Sequence, residues 1–345
     1  MDLFSNRDLG LQPYRRLLIA DSTQWQIHSS LRRSFRGFGG SSSKAACKLQ
    51  TILEPASGKI VLLDYGRATL PDQGYSKKMP KLLSPRDLLL FDLGYYSIKV
   101  FESIQRRKAF FIIPIYHHCI VRKKSDETPV SVASLLSTWK YPIHDAQLAV
   151  GAERSMNLRL VASKVCQQKA NSRRRKLRED YRRQRAGQPT AKRLEFCDWN
   201  VLITNMPASQ LDANRILNLY RTRWQIEIFF RDLKSLLRLD YCNTSKKERF
   251  QAQLLATLFI AALLFLISSR SNPDPYPNKH EVSFNKLIKR FAEVASTFSV
   301  LILKQTHQSF LDAVRLIQKL IRISIKLHQP SRQTPLQIFR SCALS

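Results

Sequence analysis

The stretch LYRTRWQIEIFFRDLKSLLRLD, Leu219–Asp240, carries the most decisive pattern in the chain. At 100° per residue, with Tyr220 set at 0°, Arg223 falls at about 300°, Glu227 at about 340°, Arg231 at about 20° and Lys234 at about 320°. These positions make one polar stripe about 80° wide. Ile226, Phe229, Phe230, Leu233 and Leu237 lie on the opposite side, between about 180° and 280°. The pattern predicts a helix from about Gln210 to Leu239 that buries one face and presents a single carboxylate among cations. Taken alone, such a stripe reads as a solvated surface held by i,i+4 ion pairs among Arg223, Glu227 and Arg231.

The surroundings of that helix give it more meaning. Far upstream, Leu17–Ala20 is a short apolar run that predicts a strand ending at Asp21. Leu49–Leu53 and Lys59–Leu63 flank Pro55 and Gly58, which is hairpin punctuation. Leu88–Phe91 is a continuous apolar strand leading into Asp92-Leu-Gly-Tyr95; a helix over Ser97–Lys108 and a strand over Ala109–Ile115 follow. Strand, hairpin, strand, helix and strand make an α/β beginning. Asp64 and Asp87 are rival carboxylates near these strands. Asp87 precedes its apolar run and Asp64 lacks the Leu-Gly-Tyr context, so both read as structural. From Tyr116 to about Glu195 the pattern loosens into what reads as an insertion. Order returns at Val201–Asn205, and helices dominate from there, interrupted at Ser271–Pro277.

Composition bounds the partners. The 345 residues carry 57 Lys and Arg against 26 Asp and Glu, a formal charge of +31, while 44% hydrophobic residues suffice for a sizeable core. A disordered basic tail is excluded and a polyanionic partner is implied, with nucleic acid the better reading. The basic run Arg173–Arg185, with Arg173, Arg174 and Arg175 at its head, places eight cations and two acids in 13 positions; it is either a DNA contact or a solvated segment. Six scattered cysteines without a C-x-x-C pair indicate neither a disulfide framework nor a zinc knuckle, and His117-His118-Cys119 lacks a fourth ligand. No export signal is visible. The longest apolar stretch, Leu254–Ile267, has 14 residues and is expected to be a buried helix rather than a membrane span. A cytoplasmic protein with no membrane partner is expected.

The spacing Tyr-x2-Arg-x3-Glu-x6-Lys at Tyr220, Arg223, Glu227 and Lys234 resembles the signature of the insertion-sequence-four family of bacterial DDE transposases. Three further blocks agree in order: Leu18–Thr23 looks like the strand bearing the first aspartate, Leu90–Tyr95 like the block bearing the second, and Leu202–Pro207 like the prelude to the glutamate helix. The resemblance implies an RNase H-like mixed sheet, with a β-containing insertion subdomain before the last catalytic helix and a helical C-terminal region. The expected division is 1–115 and 201–270 for the two parts of the core, 116–200 for the basic insertion and 271–345 for the helical end. Family members usually carry a helical end-recognition domain before the first catalytic strand. Only 20 residues precede Asp21 here, so that domain is expected to be lacking.

Phosphodiester cleavage and transfer need metal ions beside the attacking and leaving oxygens, and hard Mg²⁺ is content with carboxylates. Asp21, Asp92 and Glu227 are therefore the expected catalytic metal ligands for Mg²⁺, with Mn²⁺ as a substitute. The resemblance assigns Tyr220, Arg223 and Lys234 to phosphates of the cleaved DNA end. Arg231 either joins them or pairs with Glu227 before metal enters. Trp199 either stacks on a flipped base or packs in the core. Double-stranded DNA, as element ends and target, and a homodimer in the synapse are the implied partners. The expected activity is cut-and-paste transposition; the rivals are a nuclease of the same fold that does not join strands, and an inactive remnant that only binds DNA.

Overall fold

The computed structural model describes residues 13–39, 44–123, 126–153, 155–185, 187–242, 244–271 and 280–327. In chain order the strands are β1 (Arg16–Gln26), β2 (Ala46–Glu54), β3 (Lys59–Arg67), β4 (Asp87–Phe91), β5 (Phe110–Pro114), β6 (Ile120–Lys123), β7 (Asp126–Ser131), β8 (Ile143–Val150), β9 (Met156–Lys164), β10 (Trp199–Thr204), β11 (His280–Val282) and β12 (Ile325–Leu327). The helices are α1 (Asp72–Ser76), α2 (Ile98–Arg106), α3 (Val132–Ser137), α4 (Gln167–Arg183), α5 (Ala191–Phe196), α6 (Ala213–Arg221), α7 (Trp224–Ser235), α8 (Lys247–Arg270), α9 (Phe284–Leu303) and α10 (His307–Ile323). The chain is mixed α/β and its described residues divide into two compact units, one holding 13–17 and Pro71–Arg221, the other holding Leu18–Leu70 and the described residues from Thr222 to Leu327. The interruption expected at Ser271–Pro277 lies, beyond Ser271, outside the described residues.

In the unit around Pro71–Arg221 the strand order is β4-β5-β10-β9-β8-β6-β7. β4 and β5 are parallel and joined through α2, whereas β5, β10, β9, β8, β6 and β7 pair antiparallel, so the sheet is mixed. β4 is apolar from Leu88 to Phe91 and buried throughout, the mark of a strand covered on both faces. Its last residue, Phe91, joins a ring cluster with Tyr95, Phe101 and Phe111, in which Phe101 and Phe111 stack at 4.6 Å. Asp92 thus follows a residue anchored in the core and precedes by three another that is anchored there. Asp87 opens β4 at zero exposure and accepts from Arg16 Nε (3.0 Å), Arg16 Nη2 (2.5 Å) and the Ser84 amide, which makes it structural as expected.

In the other unit β1, β2 and β3 form an antiparallel meander. The expected hairpin is present, and its turn depends on Gly58. That residue has φ +69°, and an added Cβ would lie 2.4 Å from Ser269 Cβ on α8. β1 runs past the apolar segment, so Asp21 sits within the strand rather than at its end. Backbone pairing continues to Gln26 opposite Ala46, and hydrogen bonding rather than hydrophobicity sets the strand's length. In this register Asp21 is opposite Thr51, which is opposite Leu63. Asp64 therefore points to the other face of the sheet from Asp21, as alternation requires.

Two helical expectations are revised. The single helix expected from Gln210 to Leu239 is two helices, α6 and α7, interrupted at Thr222–Arg223, where Gln225 N donates to Thr222 O and Ile226 N to Arg223 O at three-residue spacing. The apolar stretch at Leu254–Ile267 belongs to α8, 24 residues long and, by length and composition, apolar enough to cross a membrane. Phe250, Leu254, Leu258, Ala261, Leu264 and Ser268 form its buried stripe, while Leu255, Phe259, Leu263 and Leu266 are exposed. The helix is thus half buried, not buried throughout. Its inner face meets β3 and α9, and Phe265 on α8, Phe284 on α9 and Phe229 on α7 make a ring cluster that seats α7.

Candidate active site

The residues of the Tyr-Arg-Glu-Lys spacing divide between the two units at the α6–α7 break. Tyr220 stands on α6, in the unit with Asp92. Arg223, Glu227 and Lys234 belong to the unit with Asp21.

In the unit with Asp21, α7 buries Ile226, Phe229, Phe230 and Leu233, the face computed from the sequence, and Leu237 just beyond it is half-buried. The opposite face turns Glu227 toward β1. Arg223 Nη1 donates to Asp21 Oδ2 at 2.9 Å, and Arg223 Nη2 donates to Glu227 Oε1. Two carboxylates 206 positions apart in sequence therefore share one guanidinium. The three side chains are only 16–31% exposed, so the charges interact with less screening than at an open surface. Asp21 Oδ1 also accepts the Ser22 amide at 2.7 Å. Farther along α7, Lys234 Nζ donates to the Gln24 carbonyl of β1 at 2.9 Å. Burial pulls the Lys234 ammonium below its usual pKa, opposed by nearby Asp240.

In the unit with Asp92, that residue follows β4 directly and precedes a single tight turn. Its carboxylate makes no capping hydrogen bond, so the commonest structural use of an acid at a strand end does not apply. The Tyr220 hydroxyl donates to the Phe91 carbonyl, one residue before Asp92, in a long contact of 3.4 Å. Tyr116, which the sequence reading did not single out, donates to the Leu93 carbonyl at 3.3 Å on the other side of Asp92. Burial, then the Asp92 charge, raise the Tyr116 pKa. The signal available in sequence was its place just past the apolar strand β5.

The other candidates fall differently. Arg231 does not pair with Glu227: its Nε and Nη2 donate to Asp232 Oδ1, and its side chain is 62% exposed. Asp232 is an acid the helical wheel did not expect in the core. Its Oδ1 also accepts from Asn285 on α9, and its Oδ2 is buried without a hydrogen-bond partner among the described residues. Trp199 is 6% exposed, edge-on to Trp139 and His144, with Lys164 Nζ 5.3 Å from its ring centre. Of its two uses, core packing is the one these surroundings carry. The basic run forms α4, but its head turns inward. Arg173 donates to the carbonyls of Cys197 and Trp199 and to Asn200 Oδ1, and its burial lowers its pKa. Arg174 pairs with Asp198 and donates to the Leu194 carbonyl. Arg175, Lys176, Arg178, Arg182, Arg183 and Arg185 face outward. His117 and His118 lie in the turn between β5 and β6, and the five described cysteines are all free.

Asp21 and Glu227 are hard oxygen donors already gathered around one positive charge, a donor pair that suits a divalent cation such as Mg²⁺. That charge is the Arg223 guanidinium. Among the described residues, no three His, Cys, Asp or Glu side chains are grouped as a metal site.

The profile of the transposase DDE domain matches residues 13–264, nearly three-quarters of the chain and all the carboxylates above. The chain belongs to the transposase DDE domain family. Among similar proteins, the transposase for insertion sequence element IS231F of Bacillus thuringiensis subsp. israelensis is 26% identical over 276 residues, 75% of this chain and 57% of that protein. The transposase for IS1151 of Clostridium perfringens is 25% identical over 287 residues, covering 77% of this chain and 60% of the relative. The transposase for IS231B of Bacillus thuringiensis subsp. berliner is 24% identical over 351 residues, covering 94% and 72%. In the first two of these alignments this DDE-domain chain spans less than two-thirds of the relative's length.

Proposed function

We propose that this chain carries out metal-dependent cleavage at the ends of an insertion sequence and transfer of the cut strand into target DNA, by a cut-and-paste route. Asp21, Asp92 and Glu227 supply oxygen ligands for Mg²⁺, which Mn²⁺ can replace. The bound metal would supply activation of the attacking water or 3′-hydroxyl and neutralise charge on the leaving oxygen. Tyr220, Arg223 and Lys234 hold phosphates of the cut end, in the manner of the insertion-sequence-four signature, and exposed Arg231 adds to them. Arg175 and the outward cations of α4 contact flanking or target duplex.

The observation that carries this proposal is the meeting of Asp21 and Glu227 on Arg223 within a DDE-domain chain. Residues 116–200 are proposed as the inserted subdomain between the core segments 1–115 and 201–270, with 271–345 as the helical end. In support, β5 and β10 pair directly although the whole of β6 to β9 and α3 to α5 lies between them in sequence. Double-stranded DNA, a homodimeric synapse and a place in the cytoplasm at the nucleoid belong to the same proposal.

The test supplies a duplex from the gene's flank, ending in a free 3′-hydroxyl, with a supercoiled plasmid and Mg²⁺. Joined product is expected, and Asp92→Asn should abolish it while DNA binding is kept. Nicking without joined product would establish a nuclease instead. Activity indifferent to Asp92→Asn would remove the carboxylates from the chemistry.

A further inference from the structure

Arg223 is assigned above to DNA, yet its guanidinium is committed to the two carboxylates assigned to metal. One nitrogen engages Asp21 Oδ2 and the other Glu227 Oε1, so a single planar fork spans the pair. A divalent ion at this place needs oxygen lone pairs that the guanidinium is using, and it would sit beside a fixed positive charge. Metal and resident arginine therefore compete for the same atoms.

The framework around this contact permits the arginine to leave without loss of the pair. Arg223 stands at the break between α6 and α7, before the first residue of α7, whereas Glu227 is set within the helix by its buried face. Asp21 is fixed in a strand paired to β2. The far end of α7 is tied to the same strand by Lys234 and the Gln24 carbonyl. Freed of the guanidinium, the two carboxylates would face each other at short range, which raises their demand for another cation.

We infer that Arg223 is a resident counter-cation that keeps the Asp21–Glu227 pair closed to divalent metal until a DNA phosphate draws the guanidinium away. This rests on the metal-dependent reading above and adds an order to it: DNA engagement opens the metal site, and by linkage bound metal strengthens the grip on DNA. The device would keep a DNA-cutting centre unloaded while no substrate is held.

The probe is Mn²⁺ alone, followed by loss of the free-ion electron paramagnetic resonance signal, with the full chain and no catalytic readout. Without DNA, Arg223→Gln should bind Mn²⁺ about 10-fold more tightly than the wild type, in the range of ordinary coupling between sites. A short duplex should tighten Mn²⁺ binding to the wild type by a similar factor and leave Arg223→Gln unchanged. Arg223→Lys keeps a charge but cannot bridge both acids, so it should fall between them and provides a check if the glutamine variant fails to fold. If Arg223→Gln and Arg223→Lys bind Mn²⁺ no better than the wild type, while Glu227→Gln weakens binding in all backgrounds, the gate is wrong and the metal site stands. If Mn²⁺ binding ignores Glu227→Gln and Asp21→Asn alike, the metal site itself is wrong and the gate goes with it.

Discussion

Two aspartates at opposite ends of β4 illustrate how differently one residue type is used. Asp87 is fully buried and satisfied by Arg16 and the Ser84 amide, whereas Asp92 is half-buried and caps nothing. Asp87→Ala would remove the buried carboxylate that holds the Arg16 guanidinium in two hydrogen bonds, at a cost of about 3 kcal/mol. Asp92→Asn should leave thermal stability within about 0.5 kcal/mol, the usual effect of a change away from packed or paired groups. Paired thermal melts and strand-transfer assays check both: the first variant should melt well below the wild type, and the second should melt with it but join no DNA. A destabilised Asp92→Asn would mean that this carboxylate holds structure. Asp92 was legible in sequence because Leu88–Phe91 is an unbroken apolar run that stops where the acid begins. The structural weight of Asp87 was only half legible, since its partner Arg16 lies 71 positions away.

At the level of elements, the β2–β3 turn is the sharpest case of a sequence signal with a tertiary cause. Gly58 was readable as hairpin punctuation, but its left-handed φ and the contact with Ser269 and Phe265 of α8 were not. Gly58→Ala combines backbone strain of about 1–3 kcal/mol with a clash against a helix. It should lower the melting temperature by several degrees, and hydrogen exchange should quicken first in β2, β3 and the end of α8. An unchanged melt would show that the turn relaxes freely. The break between α6 and α7 was invisible to the helical wheel, because the apolar period runs on through Thr222 and Arg223. A period fixes which residues face the core, and α7 obeyed it; it does not report where backbone hydrogen bonds change spacing. β1 shows the converse, since its second half, polar apart from Trp25, stays a strand while paired to β2.

Over the whole molecule, a charge of +31 predicts polyanion binding but not which cations take part. α4 separates the two sets. Replacing Arg175, Lys176, Arg178, Arg182 and Arg183 by Gln should weaken binding to random duplex. It should also reduce the slope of log K against log salt by up to about 4.5, if each cation neutralises one phosphate. Arg173→Gln and Arg174→Gln should instead lower stability and change that slope little. An equal slope for the outward variant and the wild type would place the DNA surface elsewhere. The run's sequence could not reveal this division, because the carbonyls that capture Arg173 and Arg174 belong to α5, to Cys197 just after it and to the start of β10, some 20 or more positions on.

The outer side of α8 leaves Leu255, Phe259, Leu263 and Leu266 in contact with water. Mutual repulsion between strongly cationic copies is what opposes sticking along such a strip, and that protection fades as the charge is compensated. Colloidal behaviour should therefore depend on stoichiometry: clear solutions with either partner in excess, and turbidity where nucleotide phosphates just balance the protein's surplus of lysine and arginine.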